Sequence, residues 1–237
     1  MWKKPMETNE TMHRFTAKDG RKFILRTLRE SELENARQLF VQIFREDRYL
    51  LNVLLEKRQK YQSLFVGCFN KDGLVGVVFG WPDPRLLVVK AIAVMEPCRR
   101  RGIGTALLKA FENAATEEGF ENFVLGAKWE AVPFYVAFGL KCLANVQVKP
   151  DEIPWDDIQR LRAKYGITGA VVFGPPALSE LVSRLYQELE VRVGTVDSGY
   201  ESVSIQIQPK TISEEALEEM KKDFKAYATQ FCFKKKL

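Results

Sequence analysis

The sequence predicts an α/β protein, and three observations carry that expectation. Two turn signals, Asp19-Gly20 and Asn70-Lys71-Asp72-Gly73, each lie between apolar stretches and read as hairpins. Leu86–Val94 is an apolar run broken only by Lys90, which reads as a central strand buried on both faces. The stretch from about Gly102 to Glu118 then sets Ile103, Ala106, Leu107, Ala110, Phe111, Ala114 and Ala115 at steps of three and four, the mark of a helix with one buried face.

The remaining elements follow in order. Residues 1–12 are polar and are expected to form a flexible tail. His13–Thr16 and Lys22–Leu28 flank the first turn. Ser31 with Glu34 three residues on has the form of a capping box, opening a helix with Leu33, Ala36, Leu39, Phe40, Ile43 and Phe44 on one face. A second helix is expected over Arg48–Gln62. Strands over Leu64–Phe69 and Leu74–Trp81 flank the second turn, with Pro82 and Pro84 ending the pair. After the long helix, which Gly119 ends, come a strand at Asn122–Ala127, a helix at Ala131–Phe138 stopped by Gly139, and a strand at Leu140–Val148. Pro150–Pro154 reads as a linker into a helix at Trp155–Tyr165. Gly169–Phe173 is a strand, followed by a helix (Leu178–Leu189), a strand (Glu190–Thr195), the turn Asp197-Ser198-Gly199, a strand (Ser202–Gln208) and a helix (Ser213–Ala228). A short strand at Phe231–Phe233 precedes Lys234-Lys235-Lys236, which reads as a solvated tail.

Composition removes several function classes. A chain of 237 residues, 46% hydrophobic and 28% charged, can bury a core without disulfides or metals. The four cysteines, Cys68, Cys98, Cys142 and Cys232, form no Cys-x-x-Cys pair, which points to a reducing, cytoplasmic setting and away from a metal cage. With His13 as the only histidine, a histidine-based triad or poly-histidine metal site is excluded. No segment is apolar enough to span a membrane, and no secretory signal opens the chain. The net charge of +5 is uneven: residues 1–149 hold 24 basic against 17 acidic side chains, and residues 150–237 hold 12 against 14. An anionic ligand therefore belongs with the first part. The excess is too mild, and interleaved aromatics too few, for a dedicated nucleic-acid binder.

Chemistry concentrates at Val94-Met95-Glu96-Pro97-Cys98-Arg99-Arg100-Arg101-Gly102-Ile103-Gly104-Thr105. An apolar strand runs into a loop of three arginines and two glycines that opens a long helix. The first N–H groups of a helix have no intrahelical acceptor and carry partial positive charge, glycines let a phosphate approach the backbone, and arginines add charge-assisted contacts. The segment reads as a pyrophosphate cradle. It lacks the P-loop spacing, and Leu107 breaks the Rossmann glycine spacing.

On these residues the chain resembles the GNAT superfamily of acetyl-CoA-dependent N-acetyltransferases. Arg99-x-x-Gly102-x-Gly104 after the strand ending in Val94 is similar to the family's first signature, and Ala131-x-x-x-Tyr135-x-x-x-Gly139 to its second. The resemblance covers roughly residues 13–148. It implies a mixed, mostly antiparallel central sheet flanked by helices over 13–149; beyond it the sequence pattern itself reads as a linker and helix over 150–167 and a small α+β extension over 168–237. For Gly169–Phe173 two readings stay open: the last strand of that sheet, or the start of a strand-helix-strand-strand-helix unit of ferredoxin-like order, which is preferred. A dimer contact or a part in acceptor choice is open for this extension.

The resemblance further implies that the backbone of Ile92 and Val94 faces the pantetheine arm. It implies that the N–H groups of Arg99, Arg100, Arg101, Gly102, Ile103, Gly104 and Thr105 hold the pyrophosphate of acetyl-CoA. Tyr135 would protonate the departing thiolate, with no metal involved. An amine attacks a thioester directly, so no enzyme nucleophile is required. The chain departs from the family at four places. The central strand carries Lys90 where many members have a glutamate base, with Asp83 and Glu96 flanking it. Lys128 stands seven before Tyr135, Pro97 is one place late, and Arg100 occupies a position that is usually small. The expected function is acetyl transfer to a primary amine, with a small-molecule acceptor preferred over a protein. The alternative is a non-catalytic acyl-CoA-binding or regulatory module. Trp81, Trp129 and Trp155 could line an aromatic acceptor pocket, with core packing preferred, and Cys98 could be activated by the neighbouring arginines, with a bystander thiol preferred.

Overall fold

The first hairpin forms as the Asp-Gly signal predicts. β1 (His13–Thr16) pairs antiparallel with β2 (Lys22–Thr27), His13 opposite Leu25 and Thr16 opposite Lys22. The computed structural model describes residues 13–17, 19–83, 86–173, 180–194 and 202–237. The expected N-terminal tail, Pro84, the first residues of the Leu178–Leu189 helix and the Asp197-Ser198-Gly199 turn lie outside the described residues. In chain order there follow α1 (Leu33–Phe44), α2 (Leu51–Lys60), β3 (Phe65–Asn70), β4 (Gly73–Asp83), β5 (Leu86–Val94), α3 (Ile103–Glu117), β6 (Asn122–Gly126), α4 (Val132–Ala137), β7 (Lys141–Val148), α5 (Trp155–Tyr165), β8 (Ile167–Phe173), α6 (Glu180–Glu188), β9 (Val191–Gly194), β10 (Ser202–Ile207), α7 (Glu214–Asp223) and β11 (Ala228–Lys236). The chain divides into two units. One comprises the residues up to Pro82 with Leu87–Phe123 and Leu237; the other comprises Val124–Lys236 with Asp83 and Leu86. Each is a mostly antiparallel sheet flanked by helices.

In the first unit β2 pairs with β3 and β3 with β4, all antiparallel, and β5 lies beside β4. The apolar face of α1 and Leu54 of α2 close over Phe65, Val77, Phe79, Trp81, Ala91 and Ala93. Phe65, Phe79 and Trp81 stack with ring planes within 4–11° of one another and dominate the apolar area buried there. Two glycines of β4 shape the other side of the strand. A Cβ on Gly80 would stand 2.4 Å from the Val88 carbonyl oxygen and 2.9 Å from the Phe111 ring of α3, and one on Gly76 would stand 3.1 Å from Leu107. Their bare backbones let α3 pack close to the strand.

Three local expectations are corrected in this unit. β5 is fully buried on one side only: Leu87, Val89, Ala91 and Ala93 alternate with half-buried Val88, Lys90, Ile92 and Val94. An apolar run cannot reveal which of its two faces lacks a complete cover. Pro82 lies within β4, which continues to Asp83; a proline is tolerated at a strand position whose N–H the ladder does not use. The carboxylate at the start of α1 is Glu32, not Glu34. It accepts the Arg29 N–H at 2.8 Å, and a short 3-10 turn at Glu30–Glu32 displaces the cap by two residues. Glu34 instead bonds Arg37 and Gln38.

In the second unit β7 is paired on both edges, by β11 (Phe231 opposite Ala144) and by β10 (Ile205 opposite Val146). β10 continues to β8 antiparallel, β8 to β9 parallel, and β11 lies between β6 and β7. The registers put Val148, Val203 and Val172 in one row, and Val146, Ile205 and Ala170 in the next, all buried. The ferredoxin-like arrangement therefore does not form. β8 is flanked by β10 and β9, and the extension's strands join β7, whose open edges would otherwise present unpaired N–H and C=O groups. Two C-terminal expectations also change. α7 stops at Asp223, and β11 is nine residues long, so the three terminal lysines lie in a strand, with Lys235 Nζ 5.5 Å from the Phe138 ring centre. Lys164 of α5 bridges to Glu219 and Asp223 of α7 at 2.7 Å each, tying those helices together. No helix among the described residues is long and apolar enough to cross a membrane.

Candidate active site

The segment after β5 is built by a succession of short-range bonds. Glu96–Cys98 makes one 3-10 turn with Pro97 near its start, where a missing N–H costs nothing. The Cys98 N–H donates to Met95 O at 2.8 Å and the Arg99 N–H to Glu96 O at 3.1 Å. Arg99 folds back, its Nε donating to Val94 O at 3.0 Å. The Cys98 side chain is buried beneath the turn. The chain then passes through two left-handed residues, Arg100 at φ 61° and Gly102 at φ 83°. Left-handed residues set close together turn successive N–H groups toward a common side, the geometry of an anion-binding concavity.

Gly102 opens α3, and the first helical bond runs from the Ala106 N–H to Gly102 O at 2.9 Å. The N–H groups of Ile103, Gly104 and Thr105 therefore have no acceptor within the helix, and no side chain caps them. A Cβ on Gly102 would meet nothing within 4 Å, so no neighbouring atom crowds that side of the turn. The fully buried Ile103 side chain anchors this first turn in the core. These features fit a diphosphate: a row of unsatisfied donors, positive helix potential and clear approach. Of the seven N–H groups expected to bind it, that of Arg99 is already engaged.

The three arginines have three different fates. Arg99 turns back on its own strand. Arg101 bonds Asp19 of the β1–β2 turn at 2.6 Å. Arg100 is exposed and makes no ion pair among the described residues. The structure thus brings Ile92, Val94 and the Arg99–Thr105 segment together within the first unit. Tyr135 belongs to the second.

Tyr135 sits on α4, its ring edge-on to Phe134 at 5.0 Å and tilted against Phe233 of β11 at 5.2 Å. The side chain is 4% exposed, and burial holds its hydroxyl well above the ordinary tyrosine range. The hydroxyl therefore stays protonated at physiological pH. The sequence offered no sign of Phe233 as its neighbour, because 98 positions separate the two.

Lys90 projects from the half-buried face of β5 and its Nζ lies 5.4 Å from the Trp81 ring centre. Tyr49 donates its hydroxyl to Lys90 O at 2.9 Å, and burial pushes its own pKa up to about 12. Sequence reasoning missed Tyr49, which follows no periodic pattern in the stretch between α1 and α2. Trp81 and Trp155 are core residues as expected; Trp129 is 37% exposed and rests against Phe231, a correction. Among the described residues no group of three or more histidine, cysteine or acidic side chains could hold a metal ion.

Comparison with known proteins gives the family of the chain and the relatives of its fold. The family model of the acetyltransferase (GNAT) domain matches residues 28–156, more than half of the chain. The uncharacterized N-acetyltransferase YjcF of Bacillus subtilis (strain 168) is 35% identical over 66 residues, 28% of this chain and 47% of that protein, so the match spans about half the relative's length. A putative acetyltransferase from Pyrococcus horikoshii shares the fold over 98% of this chain and 94% of its own, at 15% identity and a TM-score of 0.50. The PaiA N-acetyltransferase of Thermoplasma acidophilum, solved with coenzyme A, aligns over 50% of this chain and 89% of its own, at 18% identity and a TM-score of 0.44. With its apolar strand, arginine-rich turn and uncapped helix inside a family match of this length, the chain belongs to the GNAT acetyltransferase family.

Proposed function

We propose that this protein transfers an acetyl group from acetyl-CoA to a primary amine, with a small-molecule acceptor preferred. The observation that carries the reading is the start of α3, where no side chain caps the first turn and the N–H groups of Ile103, Gly104 and Thr105 have no acceptor within the helix. In this reading those groups hold the diphosphate, with the Arg100 guanidinium beside them. The backbone of Ile92 and Val94 faces the pantetheine arm. The acceptor nitrogen attacks the thioester carbonyl carbon, the carbon–sulfur bond breaks, and Tyr135 gives its proton to the departing sulfur. The product nitrogen loses its extra proton to water, and the tyrosine regains one. The four free thiols support a reducing, cytoplasmic setting.

Lys90 supports a second reading, a non-catalytic acyl-CoA-binding module, because β5 offers no carboxylate to take the amine's proton. One experiment separates the two. Acetyl-CoA binding is measured by calorimetry, and thiol release is followed with a panel of amines, amino acids and peptides. Binding with turnover that falls about 100-fold in Tyr135→Phe is the expected result. Binding without turnover across the panel selects the module, and no binding at all overturns both.

A further inference from the structure

We propose that Asp19 is a positioning residue for the phosphate-binding turn and acts through Arg101. The inference rests on the acetyl-CoA reading for its consequence, though not for its geometry. Arg101 lies between the two left-handed residues of the turn, so its conformation sets the direction of the N–H groups on both sides. Its guanidinium Nη1 is 2.6 Å from Asp19 Oδ2, a contact between residues 82 positions apart. Only 20% of the Arg101 side chain is exposed.

Asp19 is itself held in place. Its Oδ1 accepts the Arg21 N–H at 3.2 Å, and its Oδ2 lies 3.5 Å from Arg21 Nε. The Ala17 N–H to Arg21 O bond (2.8 Å) and the Gly20 N–H to Ala17 O bond (2.9 Å) close the hairpin turn around it. The hairpin therefore presents a fixed carboxylate to a loop that must keep Arg100, a non-glycine residue, in the sparsely populated left-handed region. Arg101 is then a strut whose charge Asp19 neutralises, and Arg99, bonded to Val94 O, is a second strut. Arg100 is left as the arginine that meets the diphosphate. The three-arginine run divides into one ligand and two supports.

The test is a double-mutant cycle of Asp19→Asn, Arg101→Gln and the pair together, with two readouts. The first is hydrogen exchange of the Cys98, Arg99 and Ala106 amides, which are hydrogen-bonded within the ligand-free turn, expected to speed up equally in all three variants. The second is coenzyme A affinity by calorimetry. It is expected to weaken about two- to fivefold in each single variant and no further in the double, the range of one partly exposed ion pair. In Asp19→Asn the kcat at saturating acetyl-CoA should stay unchanged while KM rises. Tighter binding in Asp19→Asn would show that Arg101 contacts phosphate directly once released, and would overturn the proposal. Unchanged exchange in the variants would also overturn it. If the wild-type protein does not bind coenzyme A, the acetyl-CoA reading fails, and the exchange measurement alone decides whether Asp19 orders the turn.

Discussion

Gly102 combines two properties that only glycine supplies together, a backbone at φ 83° and open space where a side chain would stand. An alanine there meets no neighbour but must adopt the left-handed region, at a cost of about 1 kcal/mol. Gly102→Ala is expected to lower stability by about that amount in urea unfolding. In the proposed reading the new methyl group stands beside the diphosphate, so the variant should weaken coenzyme A binding at least as much. Tyr135 behaves differently because its packing and its chemistry separate. A phenylalanine keeps the contacts to Phe134 and Phe233, so thermal stability should hardly change while turnover falls. Burial raises the folded pKa of the hydroxyl, so Tyr135 stays protonated at every pH below the ordinary tyrosine value of about 10. A pH–rate profile should accordingly show no alkaline loss from this group below about pH 10. Both signatures were legible because each is a local pattern in one stretch of chain. Asp19, Tyr49 and Phe233 were not, because their partners lie 82, 41 and 98 positions away.

The entry into α1 shows what a single ion pair contributes at the scale of an element. Arg26 of β2 meets Glu32 with two bonds of 2.7 and 2.5 Å, and its guanidinium lies 4.0 Å over the Phe69 ring. The side chains are 12% and 19% exposed, so solvent screens the pair less than a surface bridge. The Arg26 bond, helped by the Arg29 N–H, holds the Glu32 carboxyl below its usual value. A lowered folded pKa contributes stability that is present above the unfolded value, near 4.5, and is lost as pH falls through the folded one. Glu32→Gln is expected to cost about 1–2 kcal/mol at pH 7, and the gap to wild type should shrink in unfolding curves at pH 3–4. The sequence signalled a cap in this region and misassigned it by two residues. Glu32 and Glu34 both stand three residues after a possible cap, and only the 3-10 turn distinguishes them.

Across the whole molecule the last strand is a structural necessity. β11 lies between β6 and β7, and its Phe231 and Phe233 are fully buried. A chain ending after Lys149 would leave β7 without either neighbour. It should show no cooperative unfolding transition, whereas Phe231→Ala in the full chain should cost about 3–5 kcal/mol and still fold. The alkaline limit is also a collective property. Burial raises Cys68 and Cys232 to about 12, Cys142 to about 11 and Tyr49 to about 12, and Tyr135 higher still. A raised folded pKa contributes stability that is present below the unfolded value and is lost as pH rises toward the folded one. Urea unfolding should therefore show stability declining from about pH 9 upward, first through the thiols and then through the tyrosines.

Taken alone, the amino-acid sequence determined the order of the elements up to β7 and the arginine-glycine turn that opens α3, because helical periodicity, turn residues and a glycine-arginine loop are written within a few consecutive residues. Tertiary structure alone decided that the C-terminal strands would add to β7, that β5 would be fully covered on one side only, and that Arg101 would bond Asp19. Those outcomes depend on which strand edges and charges come within hydrogen-bond reach once the chain has collapsed. A hydrogen bond acts over about 3 Å whatever the separation along the sequence, and a local pattern does not contain that distance.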